Sequence, residues 1–320
     1  MRVIRNSSEL PTALPYPVLA IGAFDGVHRG HQEVLRRLVA EARRREGTAV
    51  VLSFHPHPQQ VIRPGTAPPL LQTFEQQAEQ LEALGVDLLV RFPFTREVSL
   101  WSPEEFVKEV LVSLGVQRVL VGENFRFGHR REGDFLLLQR LGERFGFAVE
   151  ACPVLTFRGQ RISSTRIRRL VSSGCVEAAA RLLGRPYEMR GDVVVGDQRG
   201  RRMGFPTANL EPENPLLPAN GVYVTRLEVE GRWWTGATNI GYRPTVKSRF
   251  RSPRPLVETH LLDFDGDLYG RYVKLAFCCR IRPEAEFADL EALIQRIRRD
   301  ILFIRRYEAR WERQKWSGAS

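Results

Sequence analysis

The sequence is poor in cysteine and lysine and lacks long apolar runs. Its 320 residues hold four cysteines, Cys152, Cys175, Cys278 and Cys279, and none of them stand in C-x-x-C spacing. The absence of such spacing argues against a zinc site or a disulfide framework, and a reducing cytoplasm is the simple expectation. Apolar runs such as Val50 to Leu52 are far shorter than the roughly 20 residues of a membrane-crossing helix. The opening stretch MRVIRNSSEL has no apolar segment of the kind a secretory leader carries. There is no internal repeat and no low-complexity tract. Of 48 Lys+Arg only Lys108, Lys247, Lys274 and Lys315 are lysine, so the positive charge is nearly all arginine. What is present is ordinary globular composition, 43% hydrophobic and 27% charged, on a chain long enough for two domains.

With 37 Asp+Glu against 48 Lys+Arg, the formal net charge is +11. A basic protein can meet nucleic acid, an anionic membrane or small phosphorylated ligands. A polyanion reader calls for a clustered basic stripe with interleaved aromatics. Here the arginines are scattered, with short runs at Arg43–Arg45 and Arg199–Arg202 and a basic C-terminal segment. Most of them read as solvated surface, so neither nucleic acid nor membrane is an expected partner. Oligomeric state is left open.

Residues 1 to about 150 alternate between two patterns. Short apolar runs at Val18–Phe24, Thr48–Phe54, Asp87–Phe92, Arg118–Val121 and Ala148–Val154 read as buried strands. Between them, His28–Arg45, Phe74–Leu84, Ser102 to about Leu114 and Asp134–Phe145 carry helical spacing. Ser102-Pro103-Glu104-Glu105 is a helix start, with a Ser cap, Pro at the first position and Glu three residues after the cap. Such alternation implies a parallel sheet covered on both faces, with ligands beyond the carboxyl ends of the strands. The pattern then changes. Ser164–Leu183 reads as one helix, broken by Gly184-Arg185-Pro186. After it, strand signals dominate at Gly191–Val195, Gly221–Val229, Arg232–Ile240, Val257–Phe264 and Arg271–Ile281, which suggests a small antiparallel barrel. A last amphipathic helix, about Phe287 to Arg313, puts Leu290, Leu293, Ile294, Ile297, Ile301 and Ile304 on one face. Trp233 and Trp234 alternate on a strand, and His260 reads as a strand residue. Cys278 and Cys279 should face opposite ways.

The most informative stretch is Gly22-Ala23-Phe24-Asp25-Gly26-Val27-His28-Arg29-Gly30-His31. A strand ends, a glycine-containing turn follows and a helix begins, leaving unpaired N–H groups and a positive dipole end that suit a phosphate. His28 and His31 share one helical face and can both donate to phosphate oxygens, while Gly30 leaves room for a nucleotide. This string resembles the signature of Rossmann-like nucleotidyltransferases, and with Phe24-Asp25-Gly26 it resembles the adenylyltransferase module of bifunctional riboflavin kinase/FAD synthetases. Further stretches are similar to that family: Phe54-His55-Pro56-His57-Pro58, Val121-Gly122-Glu123-Asn124-Phe125-Arg126-Phe127-Gly128 and Ile162-Ser163-Ser164-Thr165-Arg166-Ile167-Arg168. His55 departs from the acidic residue the family often has there. Ser163 and Ser164 can cap a helix or hold a phosphate. Arg166 and Arg168 can fork onto phosphate oxygens or belong to a solvated face. Asn124 can bond a nucleotide or flavin, or simply serve a turn. The resemblance implies ATP binding by Gly22, Phe24, Gly30, Ser163, Ser164, Thr165, Arg166 and Arg168, with His28 and His31 catalytic and Asn124 on the flavin.

A second loop, from Gly191 to Leu210, contains Gly196, Gly200 and Gly204 and then Gly204-Phe205-Pro206-Thr207-Ala208-Asn209. Glycines let backbone approach a phosphate chain, although a plain turn uses them too. This is no Walker loop, because no Gly-Lys-Ser/Thr follows. The hexapeptide resembles the riboflavin kinase signature. That resemblance implies Mg²⁺ on Thr207 and Asn209 and phosphates at the three glycines. It also implies Glu258, in Val257-Glu258-Thr259-His260, as the base for the flavin 5′-hydroxyl. Thr207 and Asn209 face the same way if extended. The arginine-rich Lys247–Arg254 replaces a shorter, more neutral loop.

The whole resemblance implies a Rossmann-like nucleotidyltransferase domain, residues 1–185, that adenylates FMN with ATP to FAD and pyrophosphate. A riboflavin kinase-like barrel with a C-terminal helix, residues 186–320, would make the FMN from riboflavin and ATP. Two other readings are a chain with one active module and a nucleic-acid-binding protein using the basic barrel. The latter gives no reason for the paired histidines or the Phe-Pro-Thr-Ala-Asn string.

Overall fold

The structure is a computed structural model. It describes residues 1–5, 9, 13–196, 200, 203–242 and 255–317, with 311–317 as backbone only. The arginine run at 199–202 and the 247–254 loop therefore lie outside the described residues, Gly200 apart. Contacts divide the chain into two units, Met1–Ser164 and Thr165–Ser320.

In the first unit, β1 (Arg2–Ile4), β2 (Pro17–Ile21), β3 (Thr48–His55), β4 (Leu88–Pro93), β5 (Arg118–Gly122) and β6 (Ala148–Cys152) form a sheet. The order is β1-β4-β3-β2-β5-β6, and every pairing is parallel. The five strands expected from the sequence are present. β1 is added at one edge, and three residues are too few for periodicity to reveal. The helices are α1 (Arg29–Arg44), α2 (Pro58–Ile62), α3 (Phe74–Ala83), α4 (Pro103–Phe106) and α5 (Phe135–Phe145). Both faces of the strands are apolar because helices cover both. Val18 and Ala20 of β2 pack with Leu35, Leu38 and Ala42 of α1 and Leu81 of α3. Leu19 and Ile21 belong to the opposite core with Phe106, Leu138 and Leu141. Ser102 does cap α4: its Oγ accepts from Glu105 N at 3.2 Å, and Glu105 Oε2 accepts from Ser102 N at 2.7 Å. Beyond Phe106 the helix widens into a π segment, Val107–Val112, which the apolar spacing does not betray. The strand order reverses between β2 and β5, the crevice where open sheets of this kind take ligands.

A hairpin of β7 (Thr156–Phe157) and β8 (Gln160–Arg161) leads to the next helix. The single helix expected over 164–183 is two, α6 (Ser164–Ser172) and α7 (Val176–Leu183). The break falls at Gly174, whose φ of 78° favours glycine. A Cβ there would also stand 2.8 Å from Arg280 Cδ and 2.9 Å from Tyr223 Oη. Among the described residues, β9 (Tyr187–Val194), β10 (Ala208–Pro212), β11 (Gly221–Val229), β12 (Arg232–Gly241), β13 (Leu256–Leu261) and β14 (Tyr272–Arg282) close into an antiparallel barrel. Its interior includes polar groups: Thr238 Oγ1 lies 2.7 Å from Thr225 Oγ1 and 2.8 Å from Thr259 Oγ1, all three fully buried. These hydroxyls satisfy one another, so their burial is tolerated.

Two expectations about faces need correction. Cys278 and Cys279 share one buried cluster with Val224, Leu262 and Ile304. The β11–β14 register shifts between Val224 and Thr225, and this bulge breaks the alternation. The final helix, α8 (Leu290–Ser317), starts later than expected, and Leu290 is 58% exposed rather than part of the buried face. Ile304 is fully buried against the barrel, and Asp300, also buried, receives Arg282 Nη2 at 2.9 Å and Arg296 Nε at 3.2 Å.

Candidate functional sites

The first site starts at the carboxyl end of β2. The chain turns through Phe24 (φ 45°), Gly26 (φ 83°) and Val27 (φ 34°) before α1 begins. Such backbone is held only where the surroundings demand it. Gln77 Nε2 donates to Ala23 O at 2.7 Å, Gln72 Nε2 to Phe24 O at 3.2 Å and Gln32 Nε2 to Val27 O at 2.9 Å. Buried Asp25 accepts from Leu71 N at 2.9 Å through Oδ1, and its carbonyl accepts from Ser164 Oγ at 2.9 Å. Ser164 is thus the first residue of α6, with its hydroxyl spent on Asp25.

His28 caps α1, its Nδ1 accepting from His31 N at 3.2 Å. A neutral His28 ring therefore carries its proton on Nε2, which is a donor. The two rings stack, with centroids 3.6 Å apart, and Phe24 meets His31 edge-on at 5.2 Å. Burial, then the neighbouring His28 and then the charge of Arg161 hold the His31 pKa well below the usual 6.5. Its Nδ1 is buried with no hydrogen-bond partner among the described residues. A Cβ on Gly30 would come within 3.2 Å of His28 Cε1, and one on Gly22 within 3.3 Å of the Phe24 ring. Because the sheet is parallel, the loops after β3 and β5 end at this same edge. Exposed Asn124 lies there in the turn closed by Phe125 N to Gly122 O at 2.8 Å. Thr165, Arg166 and Arg168 belong to α6 beyond the unit boundary; Thr165 is exposed and both arginines are half-buried. Asp25, Gln72 and Gln77 carry no local sequence signal for holding this loop, since their partners there stand up to 139 positions away, and none marks Arg161 as a charge near His31.

The second site lies on the outer wall of the barrel. On β13, Val257, Thr259 and Leu261 are buried inward, so Glu258 and His260 face outward. Register puts Asn209 of β10 opposite Glu258, and Asn239 of β12 on its other side. Directly opposed residues of antiparallel strands share a face, so these three form one row. Asn209 is buried even so, and its Oδ1 has no partner among the described residues. A Cβ on Gly196 would fall into the Asn209 amide, and one on Gly200 into the Phe205 carbonyl, 3.2 Å from Thr207 Oγ1. Gly204 takes φ 83°. Gly200 O accepts from Phe205 N at 2.8 Å and Met203 N at 3.1 Å, closing the turn. Among the described residues, no group of three or more His, Cys, Asp or Glu could hold a metal. The orphaned, buried Asn209 amide oxygen and the hydroxyl of Thr207, two residues earlier, are hard oxygen groups of the kind Mg²⁺ takes when it arrives with a nucleotide.

A family model for FAD synthetase matches residues 11–166, and one for riboflavin kinase matches 183–308. The bifunctional riboflavin kinase/FMN adenylyltransferase of Pseudomonas fluorescens is 39% identical over 302 residues, covering 94% of this chain and 96% of its own. The protein of the same description from Escherichia coli K12 is 38% identical over 309 residues, 96% and 97%. That from Bacillus subtilis is 36% identical over 286 residues, 88% and 90%. A crystal structure described as a macrolide-efflux protein from Streptococcus pneumoniae shares 28% identity and a TM-score of 0.87 over 95% of this chain and 98% of that one. Among the described residues here, no helix is long and apolar enough to cross a membrane. Fold and matches together define a two-module transferase. The chain belongs to the bifunctional riboflavin kinase/FMN adenylyltransferase family.

Proposed function

We propose that the chain converts riboflavin to FMN and FMN to FAD, each step using one ATP, in the cytoplasm. Residues 186–320 transfer a phosphoryl group to riboflavin and release ADP; residues 1–185 join FMN to the adenylyl group and release pyrophosphate. The observation that carries this reading is that each unit gathers its own motif at one place, the histidine pair at the β2–β5 crevice and the Asn209–Glu258 row on the barrel.

In the first module the nucleophile is an FMN phosphate oxygen, already ionised at neutral pH, so no base is required. Catalysis there rests on positioning and on charge neutralisation. His28 Nε2–H and the α1 N-terminus offer donors to the ATP phosphates, and His31 stacks beneath His28 and holds its ring. Gly22, Phe24 and Gly30 shape the nucleotide cleft, Ser163, Thr165, Arg166 and Arg168 serve the phosphates together with the backbone N–H of Ser164, whose hydroxyl stays on Asp25, and Asn124 serves the flavin. In the second module Glu258 accepts the proton of the ribityl 5′-hydroxyl as it attacks the γ-phosphorus, leaving ADP. Thr207 and Asn209 would hold Mg²⁺, which supplies neutralisation of phosphate charge, and Gly196, Gly200 and Gly204 let backbone approach the phosphates.

Incubation of the purified chain with riboflavin, ATP and Mg²⁺, followed by chromatography, tests the proposal. FMN and FAD are both expected. FMN alone would leave only the kinase, and no flavin product would favour a binding protein.

A further inference from the structure

His260 stands two residues from Glu258 on the outward face of β13. Its Nδ1 lies 2.8 Å from the carbonyl oxygen of Pro206, and its ring meets Phe205 edge-on, with centroids 5.7 Å apart and planes at 89°. A carbonyl can only accept, so Nδ1 carries the hydrogen. Phe205 and Pro206 form the end of the glycine turn: Phe205 N closes onto Gly200 O, and Pro206 leads directly into Thr207 and Asn209. Pro206 itself is exposed and precedes the first β10 residue, Ala208, so the ladder does not hold it. The imidazole is therefore a bolt from the strand bearing Glu258 to the segment bearing Thr207.

We propose that His260 is a positioning residue of the kinase site, fixing the Phe205–Thr207 backbone so that Thr207 and Asn209 meet the metal–nucleotide at a set distance from Glu258. The proposal rests on the kinase reading above. It predicts a defect in metal–nucleotide binding with flavin binding kept, because the bond acts on the Thr207 side of the site.

The test uses the full chain and the variants His260→Ala, His260→Asn, His260→Gln and Asn209→Ala. An asparagine amide nitrogen can stand close to the place of Nδ1, whereas a glutamine amide reaches toward that of Nε2. ADP binding in the presence of Mg²⁺ is measured by calorimetry, riboflavin binding by fluorescence quenching, and kcat and KM for ATP from FMN formation. In His260→Ala the KM for ATP and the Kd for ADP should rise about tenfold, the scale of one lost hydrogen bond, with riboflavin affinity unchanged. His260→Asn should recover most of that loss and His260→Gln should not. Wild-type nucleotide binding in His260→Ala, or equal behaviour of the Asn and Gln variants, overturns the proposal. If His260→Ala does not fold, the Asn–Gln comparison alone decides. Asn209→Ala separates the two levels: unchanged nucleotide binding there overturns the metal placement as well, whereas a defect there beside a wild-type His260→Ala overturns this inference alone.

Discussion

His31 is neutral near pH 7 in the folded unit, where its pKa is held well below the ordinary value. In an unfolded chain it would titrate near 6.5; in the folded unit burial, His28 and Arg161 push it well below. Well above 6.5 both states are neutral and the full stability is present. As pH falls from 6.5 toward the folded value, only the unfolded chain takes up the proton, so stability drops, levelling off below the folded pKa. The urea midpoint should therefore fall between pH 7 and 5, and should fall less in His31→Asn. For catalysis, His28→Ala or His31→Ala should cut adenylyl transfer from supplied FMN and ATP by about 10²-fold or more, the scale of a lost preorganised donor. FAD formation at the wild-type rate in both would remove the histidines from the mechanism. The signature residues at this scale were legible in the sequence because strand, turn and helix start are contiguous there. Their anchors were not: Gln72, Gln77 and Ser164 reach the loop from distant segments.

At the scale of elements, the α6–α7 break and the seat of α8 are the informative cases. Gly174→Ala combines a positive φ with a clash against Arg280 and Tyr223, and should cost about 1–3 kcal/mol in a denaturant titration. Helical spacing on both sides of Gly174 hid this break, since a glycine inside a helical pattern and one between two helices look alike in sequence. Asp300→Ala would leave Arg282 of β14, largely buried, without its carboxylate. A loss of about 3–5 kcal/mol is expected, read from thermal or urea unfolding of the barrel. β10 escaped as a strand because Gly-Phe-Pro-Thr-Ala-Asn looks like loop; its neighbours β9 and β13 make it the strand that closes the barrel.

At the scale of the whole molecule, two units with separate cores predict separable activities. Glu258→Ala should abolish most FMN formation while FAD formation from supplied FMN and ATP continues at the wild-type rate. Loss of both together would mean misfolding or another role for Glu258. Some of the arginines are tied to carboxylates within the fold, and such pairs leave the formal surplus of +11 unchanged. Arg43 holds Asp87 at 2.7 Å, Arg190 holds Glu188 at 2.7 Å and Arg305 holds Asp263 at 2.8 Å.

By itself the sequence determined most of the succession of elements, β1, β10 and the α6–α7 break apart, and the two motif sets, because strand and helix periods, helix starts and glycine turns are written in neighbouring residues. Tertiary structure alone decided that Asn209 stands opposite Glu258, that Cys278 and Cys279 share a core, and that His260 grips Pro206. Register, bulges and side-chain bonds across strands depend on how distant segments meet, and no local pattern encodes that.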